Sequence, residues 1–194
     1  MSEIANLSLI CYNLNMIILQ AFYLMLPAYF ANMAPVIATR IFGKNFNWPL
    51  DFNLKIKGRE IFGKNKTWRG LLAGVLVGIL AVYLQAYLYN YNFFKNLSLL
   101  DYSQIDLFLL GLLLGFGVIL GDAAKSFVKR QMAIKPGEKW FPYDQLDFLG
   151  ALVLLSLFYQ PPVLVFFIIL IISPLLPILA NWFGYKLKIK PVSW

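Results

Sequence analysis

The chain alternates long apolar runs with two short polar islands. Apolar runs occupy about 10–39, 70–89, 107–128, 146–158 and 163–185. A stretch of roughly 20 predominantly apolar residues crosses a hydrocarbon core, so these runs predict five spanning helices. The fourth is short, and Gln160-Pro-Pro162 marks a tight turn into the fifth. Pro27 and Pro35 fall inside the first run, Pro174 and Pro177 inside the fifth. Neighbouring groups can re-satisfy the carbonyls that proline frees in a spanning helix, so kinks are expected there rather than breaks. The predicted fold is an all-α integral membrane protein of five transmembrane helices, one domain over 1–194, with polar loops at about 40–69 and 129–145.

Composition agrees with that pattern. The 194 residues are 60% hydrophobic and only 13% charged, against about 25% charged in a soluble domain. The single cysteine, Cys11, allows no internal disulfide and no cysteine-rich metal site. There is no histidine, which excludes a Ser-His-Asp triad, His-ligated zinc and an imidazole base. The N-terminus has Glu3 and no basic residue before Arg40. It lacks the positive n-region of a cleaved signal peptide, so the first run is expected to be retained as a span.

Charge orients the spans. Of 17 lysines and arginines, eight lie between Arg40 and Arg69, five between Lys125 and Lys139, and three in the tail Lys186–Lys190. Only Lys95 falls between the second and third spans. The positive-inside rule then puts both polar loops and the C-terminus in the cytoplasm and the N-terminus outside, as an odd number of spans requires. The net charge of +8 follows from this asymmetry and calls for no nucleic acid partner. Gly70, Gly74 and Gly78 in the second span, with Gly111/Gly115 and Gly117/Gly121 in the third, have the small-xxx-small spacing of close helix packing. The second and third spans are therefore expected at the centre, bringing the islands they lead into together.

In the second island Asp122, Lys125, Ser126 and Lys129 are spaced i, i+3, i+4 and i+7, one face of a helix. Snorkelling accounts for Lys129 and Arg130, but not for Asp122, the deepest of them. Ionisable groups at membrane depth are functional candidates by default. Beyond the turn signal Lys135-Pro-Gly-Glu138 and the aromatics Trp140, Phe141 and Tyr143, two carboxylates, Asp144 and Asp147, stand at the mouth of the fourth span. Two readings stay open for this pair. They can cap a helix start, or they can join Asp122 in a hard-cation site, since magnesium takes a few carboxylates, waters and phosphate oxygens.

The first island contains Gly63-Lys-Asn-Lys-Thr-Trp-Arg-Gly70. Its donors, Asn65, Lys66, Thr67 and Arg69, suit phosphates, Arg69 bidentately. Gly58–Asn65 nearly matches a P-loop, but Asn65 replaces the hydroxyl residue and no strand precedes it, so that reading is rejected. The element Ile-Phe-Gly-Lys-Asn occurs twice, at Ile41–Asn45 and Ile61–Asn65, with no evident reason. No role is assigned to Asn45–Asn53.

Three stretches, 63–70, 121–130 and Lys135-Pro-Gly-Glu-Lys-Trp-Phe-Pro-Tyr-Asp-Gln-Leu-Asp147, closely resemble the archaeal CDP-archaeol synthases. More distantly they resemble the bacterial and eukaryotic CDP-diacylglycerol synthases, whose Ser-x-x-Lys-Arg, later lysine and paired aspartates fall on Ser126, Lys129, Arg130, Lys135, Asp144 and Asp147. The resemblance covers nearly the whole chain, from Asn32-Met-Ala-Pro35 onward. It implies a five-span, magnesium-dependent cytidylyltransferase of the cell membrane, joining CTP to an unsaturated archaeol phosphate, an isoprenoid ether lipid. The site it implies has Asp122, Asp144 and Asp147 holding Mg2+. Lys125, Lys129 and Lys135 act in catalysis with Asp144 and Asp147. Asn65, Lys66, Thr67, Arg69, Ser126 and Arg130 bind substrate. Other readings are a polyprenol kinase or phosphatase, or a synthase acting on phosphatidic acid. A transporter, which would carry charge at the midplane and inverted repeats, and a non-catalytic lipid-binding scaffold fit less well.

Overall fold

A computed structural model describes residues 2–43, 45–135 and 138–186. Lys188 and Lys190 of the basic tail, Pro136-Gly137 of the turn signal and Lys44 of the repeated element lie outside the described residues.

In a bilayer every backbone group must be satisfied within the chain, and an apolar run does this as a helix. The helices are α1 (Ser2–Phe42), α2 (Trp68–Leu88), a short α3 (Asn92–Leu97), α4 (Leu107–Gln131), α5 (Phe148–Phe158) and α6 (Val163–Lys186). The five predicted runs match α1, α2, α4, α5 and α6 to within a few residues, except that α1 begins earlier. α1 continues through Pro27 and Pro35. Thr67 caps α2 by accepting from Gly70 N–H, and Asp106 caps α4 by accepting from Leu109 N–H. Both supply an oxygen to donors that a helix start leaves without partners.

Two expectations are refined. Among the described residues three helices are long and apolar enough to cross a membrane, with two shorter apolar ones, Phe148–Phe158 and Val163–Leu176. At 11 residues, α5 reaches only about 16 Å, roughly half of a hydrocarbon core. The first polar loop also holds local structure. A two-stranded antiparallel hairpin, β1 (Lys55–Ile56) and β2 (Arg59–Glu60), pairs Lys55 with Glu60 and Ile56 with Arg59. An isolated bridge joins Pro49 to Thr67.

α4 is the central helix, packed against α1, α2 and α5. Glycine decides how close these helices come. A Cβ on Gly78 would stand 2.6 Å from Gly115 Cα, and one on Gly121 would run into the carbonyl oxygen of Asp147. With no hydrophobic drive between helices in lipid, such backbone approach supplies the dispersion contacts that hold them. On α2 the Gly70, Gly74 and Gly78 face is buried, while Leu72, Leu76 and Leu80 are exposed on the lipid side. Leu110, Leu114, Val118, Leu152, Leu155 and Val165 fill the core. Buried Ser173 on α6 hydrogen-bonds Tyr29 of α1 at 2.6 Å.

Candidate active site

The polar groups gather where α2 begins, α4 ends and α5 begins. Asp122 is the hub. Lys66, from the loop before α2, contacts its Oδ2, and Lys125 Nζ lies 3.3 Å from its Oδ1. Lys125 also pairs with Asp147 Oδ1 and donates to the Asp144 carbonyl at 2.9 Å. Charges thus alternate through Lys66, Asp122, Lys125 and Asp147. Beside this row Lys129 donates to Asp144 Oδ1 at 2.8 Å and to the Glu138 carbonyl at 2.6 Å. Lys129 and Ser126 are buried, each 8% exposed, on the face of α4 that the spacing predicts.

Asp147 occupies the N-cap position of α5, yet its side chain makes no capping bond. It turns inward, where Asn32 of α1 donates to its Oδ2 at 3.4 Å. The contact of Gly121 with the Asp147 backbone brings α5 close enough for this. The capping reading therefore fails for Asp147. Asp144 caps no helix start either. Its Oδ2 accepts from Trp140 N–H at 2.6 Å, closing the turn that leads into α5. Burial pushes its carboxyl up, but the Lys129 ammonium and the Trp140 N–H outweigh burial and hold it below the ordinary carboxylate range.

Two cavities meet at this cluster. The smaller, about 190 Å³, is lined by Lys64, Asn65, Lys66, Asp122, Lys125, Ser126, Lys129, Arg130 and Asp144. The larger, about 670 Å³, reaches between α1, α2 and α4 past Asn32, Pro35, Leu71 and Ile119, and shares Lys64, Asn65, Lys66 and Asp122 with the first. An apolar groove of about 440 Å³ runs between α4 and α5 on the far side of Lys125. The first cavity sets carboxylates and ammoniums around a volume that suits phosphates. The other two offer apolar surface beside it.

Of the site residues predicted from sequence, Asn65, Lys66, Asp122, Lys125, Ser126, Lys129, Arg130 and Asp144 line the first cavity, and Thr67 lines the second while capping α2. Asp147 sits behind Lys125. Two residues lie elsewhere. Arg69 is 8% exposed and lines neither cavity. It donates to the carbonyls of Gly43 and Asn45 at 2.9 and 2.6 Å, to Thr39 Oγ1 at 3.0 Å and to Asn47 Oδ1 at 3.3 Å. Carbonyls left open at the end of α1 draw the guanidinium there. Lys135 is exposed and outside both linings, its N–H bound to Glu138 Oε2.

The expected three-carboxylate cluster is also refined. Among the described residues no group of three His, Cys, Asp or Glu stands close enough to hold a metal. Asp122 and Asp147 converge on one ammonium, while Lys129 and Trp140 engage Asp144. The two convergent acids still suit a hard cation. Asp122 Oδ1 and Asp147 Oδ1 both turn to the point that the Lys125 ammonium occupies, so two carboxylate oxygens already converge on one positive charge. Magnesium needs only one or two carboxylates when phosphates and waters complete its shell.

Two contributors were not foreseen, Asn32 and Asp51. Asp51 lies in the unassigned stretch and is 5% exposed. Its Oδ2 accepts from Phe62 and Gly63 N–H at 2.9 and 3.1 Å, its Oδ1 from Asn53 N–H at 3.0 Å. It fixes the start of the Gly63–Lys66 rim. Burial raises its carboxyl, but these N–H donors prevail and leave it below the usual range. An acid, one of only two with Glu60 in a loop of eight cations, was the available signal.

Comparison with known proteins identifies the family of the chain. Residues 14–194 match the family model described as CarS-like: CDP-archaeol synthase. The CDP-archaeol synthase of Pyrococcus furiosus is 37% identical over 182 residues, covering 91% of this chain and 98% of its own length. That of Thermofilum pendens is 36% identical over 173 residues, covering 87% of this chain and 78% of its own length. A solved structure, described as an intramembrane enzyme for archaeal membrane lipids biosynthesis, superposes with a TM-score of 0.67 at 35% identity, covering 84% of this chain and 94% of that one.

Proposed function

Since this chain belongs to the CDP-archaeol synthase family, we propose that it transfers the cytidylyl group of CTP to an unsaturated archaeol phosphate, 2,3-di-O-geranylgeranylglyceryl 1-phosphate, giving CDP-archaeol and pyrophosphate. An oxygen of the lipid phosphate attacks the α-phosphorus of CTP. The bond from that phosphorus to the bridging oxygen breaks, and its electron pair leaves with pyrophosphate. A phosphate monoester has a second pKa of about 6, so the nucleophile is already largely dianionic at neutral pH. No strong base is required, which suits a chain without histidine.

The barrier is repulsion between anions and charge developing on the leaving group, so positioning and electrostatics carry the catalysis. Lys125, Lys129 and Arg130 from α4 and Lys66 from the first loop neutralise phosphate charge. Asn65, Thr67 and Ser126 add hydrogen bonds. Arg69 serves the site by tying its loop to the end of α1. Lys135, from the loop after α4, is assigned to the leaving pyrophosphate on the family resemblance alone. Asp122 and Asp147 are the residues that would hold magnesium, with Asp144 beside them. When bound, the ion supplies Lewis-acid charge neutralisation. Asp122 also positions Lys66, and Asp122 and Asp147 together position Lys125, whose ammonium they share.

The five apolar helices are read as five spans, with the site and both polar loops cytoplasmic and the N-terminus outside. The isoprenoid tails lie along the apolar surfaces beside the polar cavity, with the head at the membrane face.

The observation that carries this reading is the alternating row Lys66, Asp122, Lys125, Asp147 at the junction of a polar cavity with apolar ones. The test is an assay of purified protein with magnesium, CTP labelled at the α- or γ-phosphate, and either unsaturated archaeol phosphate or phosphatidic acid. The α-label should appear in the ether lipid and pyrophosphate should be released. Transfer of the γ-label instead would establish a kinase.

A further inference from the structure

The segment left without a role in the sequence carries several large exposed apolar side chains. Phe46, Trp48, Phe52 and Leu54 are between 61% and 67% exposed. They are not scattered. Phe46 meets Trp48 edge-on with ring centroids 6.1 Å apart, and Phe52 packs on Trp68 at the same separation. Backbone bonds lock this segment to the first turn of α2. Trp68 N–H donates to the Trp48 carbonyl at 3.0 Å, and Leu50 N–H to the Lys66 carbonyl at 2.7 Å. The aromatic side chains therefore stand level with the start of a spanning helix, and the segment follows directly on the end of another.

We propose that the segment Phe46–Leu54 is an interfacial anchor, seated in the headgroup layer of the leaflet that the polar cavity faces. Three features select lipid as its occupant. Indole rings, with an apolar body and a polar N–H, favour the level where hydrocarbon meets water, and Trp48 is tied by its carbonyl to Trp68 at the first residue of α2. The patch continues the lipid-facing stripe of α2, whose Leu72, Leu76 and Leu80 begin one turn beyond Trp68. Exposed cations, Lys55, Lys57, Arg59 and Lys64, follow in the same loop and complement an anionic leaflet surface.

The seating has a consequence for the cavity. Asp51 lies between the two aromatic pairs and turns inward, holding Phe62 and Gly63 N–H at the cavity rim. Anchor and rim therefore move as one body. The anchor stands independently of the reaction proposed above, since it rests on the loop and the bilayer alone.

Spin labelling in lipid vesicles tests it. Cys11 is the only cysteine, so Cys11→Ser gives a clean background. Nitroxides are attached, one per variant, at Trp48→Cys, Leu54→Cys and, as a lipid-facing reference, Leu76→Cys. Collision rates are read with oxygen, which concentrates in lipid, and with a water-soluble nickel chelate. Labels at 48 and 54 should lose much of the nickel accessibility of a free label in buffer while keeping more of it than the label at 76. Nickel accessibility equal to that in buffer would overturn the anchor, placing the loop in water. Shielding from both reagents would also overturn it, by showing that protein covers the patch. Should Trp48→Cys fail to yield monodisperse protein, Leu54→Cys decides alone.

Discussion

Asp122 faces two ammoniums, Lys66 and Lys125, while Asp147 shares the second. Asp122→Asn keeps the size of the side chain and removes the charge that orders them. Cytidylyl transfer is expected to fall on the order of 10²-fold or more, the scale of a lost electrostatic group in a reacting site. The protein should remain monodisperse, and wild-type turnover would contradict the assignment. Asp51 acts at one remove, through backbone donors. Asp51→Asn replaces a charged acceptor with a neutral one at 62 and 63, so the expected change is a raised KM for CTP with kcat less affected. The pH dependence has a definite sign. A carboxyl held below its unfolded value of about 3.9 stabilises the fold fully above that pH and loses the effect as pH falls through its native value. Asp51→Asn should therefore flatten part of the acid limb of thermal stability in the wild type. Asp122 was legible as a residue because it follows an apolar run where a charge is costly. Asp51 was not, because its value lies in three N–H groups that only the folded loop brings to it.

Elements meet through glycine, and two sites separate packing from chemistry. Gly121→Ala would push a methyl group into the carbonyl of Asp147, at the point where α5 delivers its carboxylate. Overpacking of this kind costs about 1–3 kcal/mol, and here it also shifts Asp147 from Lys125. Both thermal stability and turnover per folded molecule should drop. Gly78→Ala creates a similar overlap with Gly115, deeper between α2 and α4. It should lower stability while turnover per folded molecule stays near the wild type, as read by assay on the monodisperse fraction. Equal loss of turnover in both variants would show that Gly121 has no special link to the site. The glycine spacing predicted the α2–α4 contact from sequence. The α4–α5 contact through Gly117, Gly121 and Gly150 was only half legible, since Gly150 has no partner of that spacing within its own short helix.

At the scale of the molecule, sixteen of 17 lysines and arginines belong to stretches assigned to one face. A single cysteine in the Cys11→Ser background reports each side. With sealed vesicles of known orientation, Lys95→Cys should react with an impermeant thiol reagent from outside, and Glu138→Cys only after the membrane is opened. Reaction of both from the same side would overturn the five-span reading. That reading also depends on α5, whose length is well short of a bilayer. The turn Tyr143–Gln145 precedes α5, and the Trp140–Tyr143 stack at 4.6 Å stands beside it. These place its start beside the polar groups, and Tyr159, just past its end, donates to the Asp106 carbonyl at the start of α4 at 3.1 Å, so α5 runs alongside α4 to that helix's opposite end.

Hydropathy, spacing and charge bias were enough, by themselves, to determine the helices, their proposed orientation and the stripe on α4. Each of these is a property of neighbours along the chain or of a count over a loop. Tertiary structure alone decided which charged groups face one another. It turned Asp147 inward and gave Asp144 to Lys129 and Trp140. It sent Arg69 to the end of α1, and it enlisted Asn32 and Asp51 from stretches with no motif of their own. The physical reason is distance in sequence. Asp147 is 115 residues from Asn32, and Lys66 is 56 from Asp122. No local period records a contact made when α1, α2 and α5 close around α4.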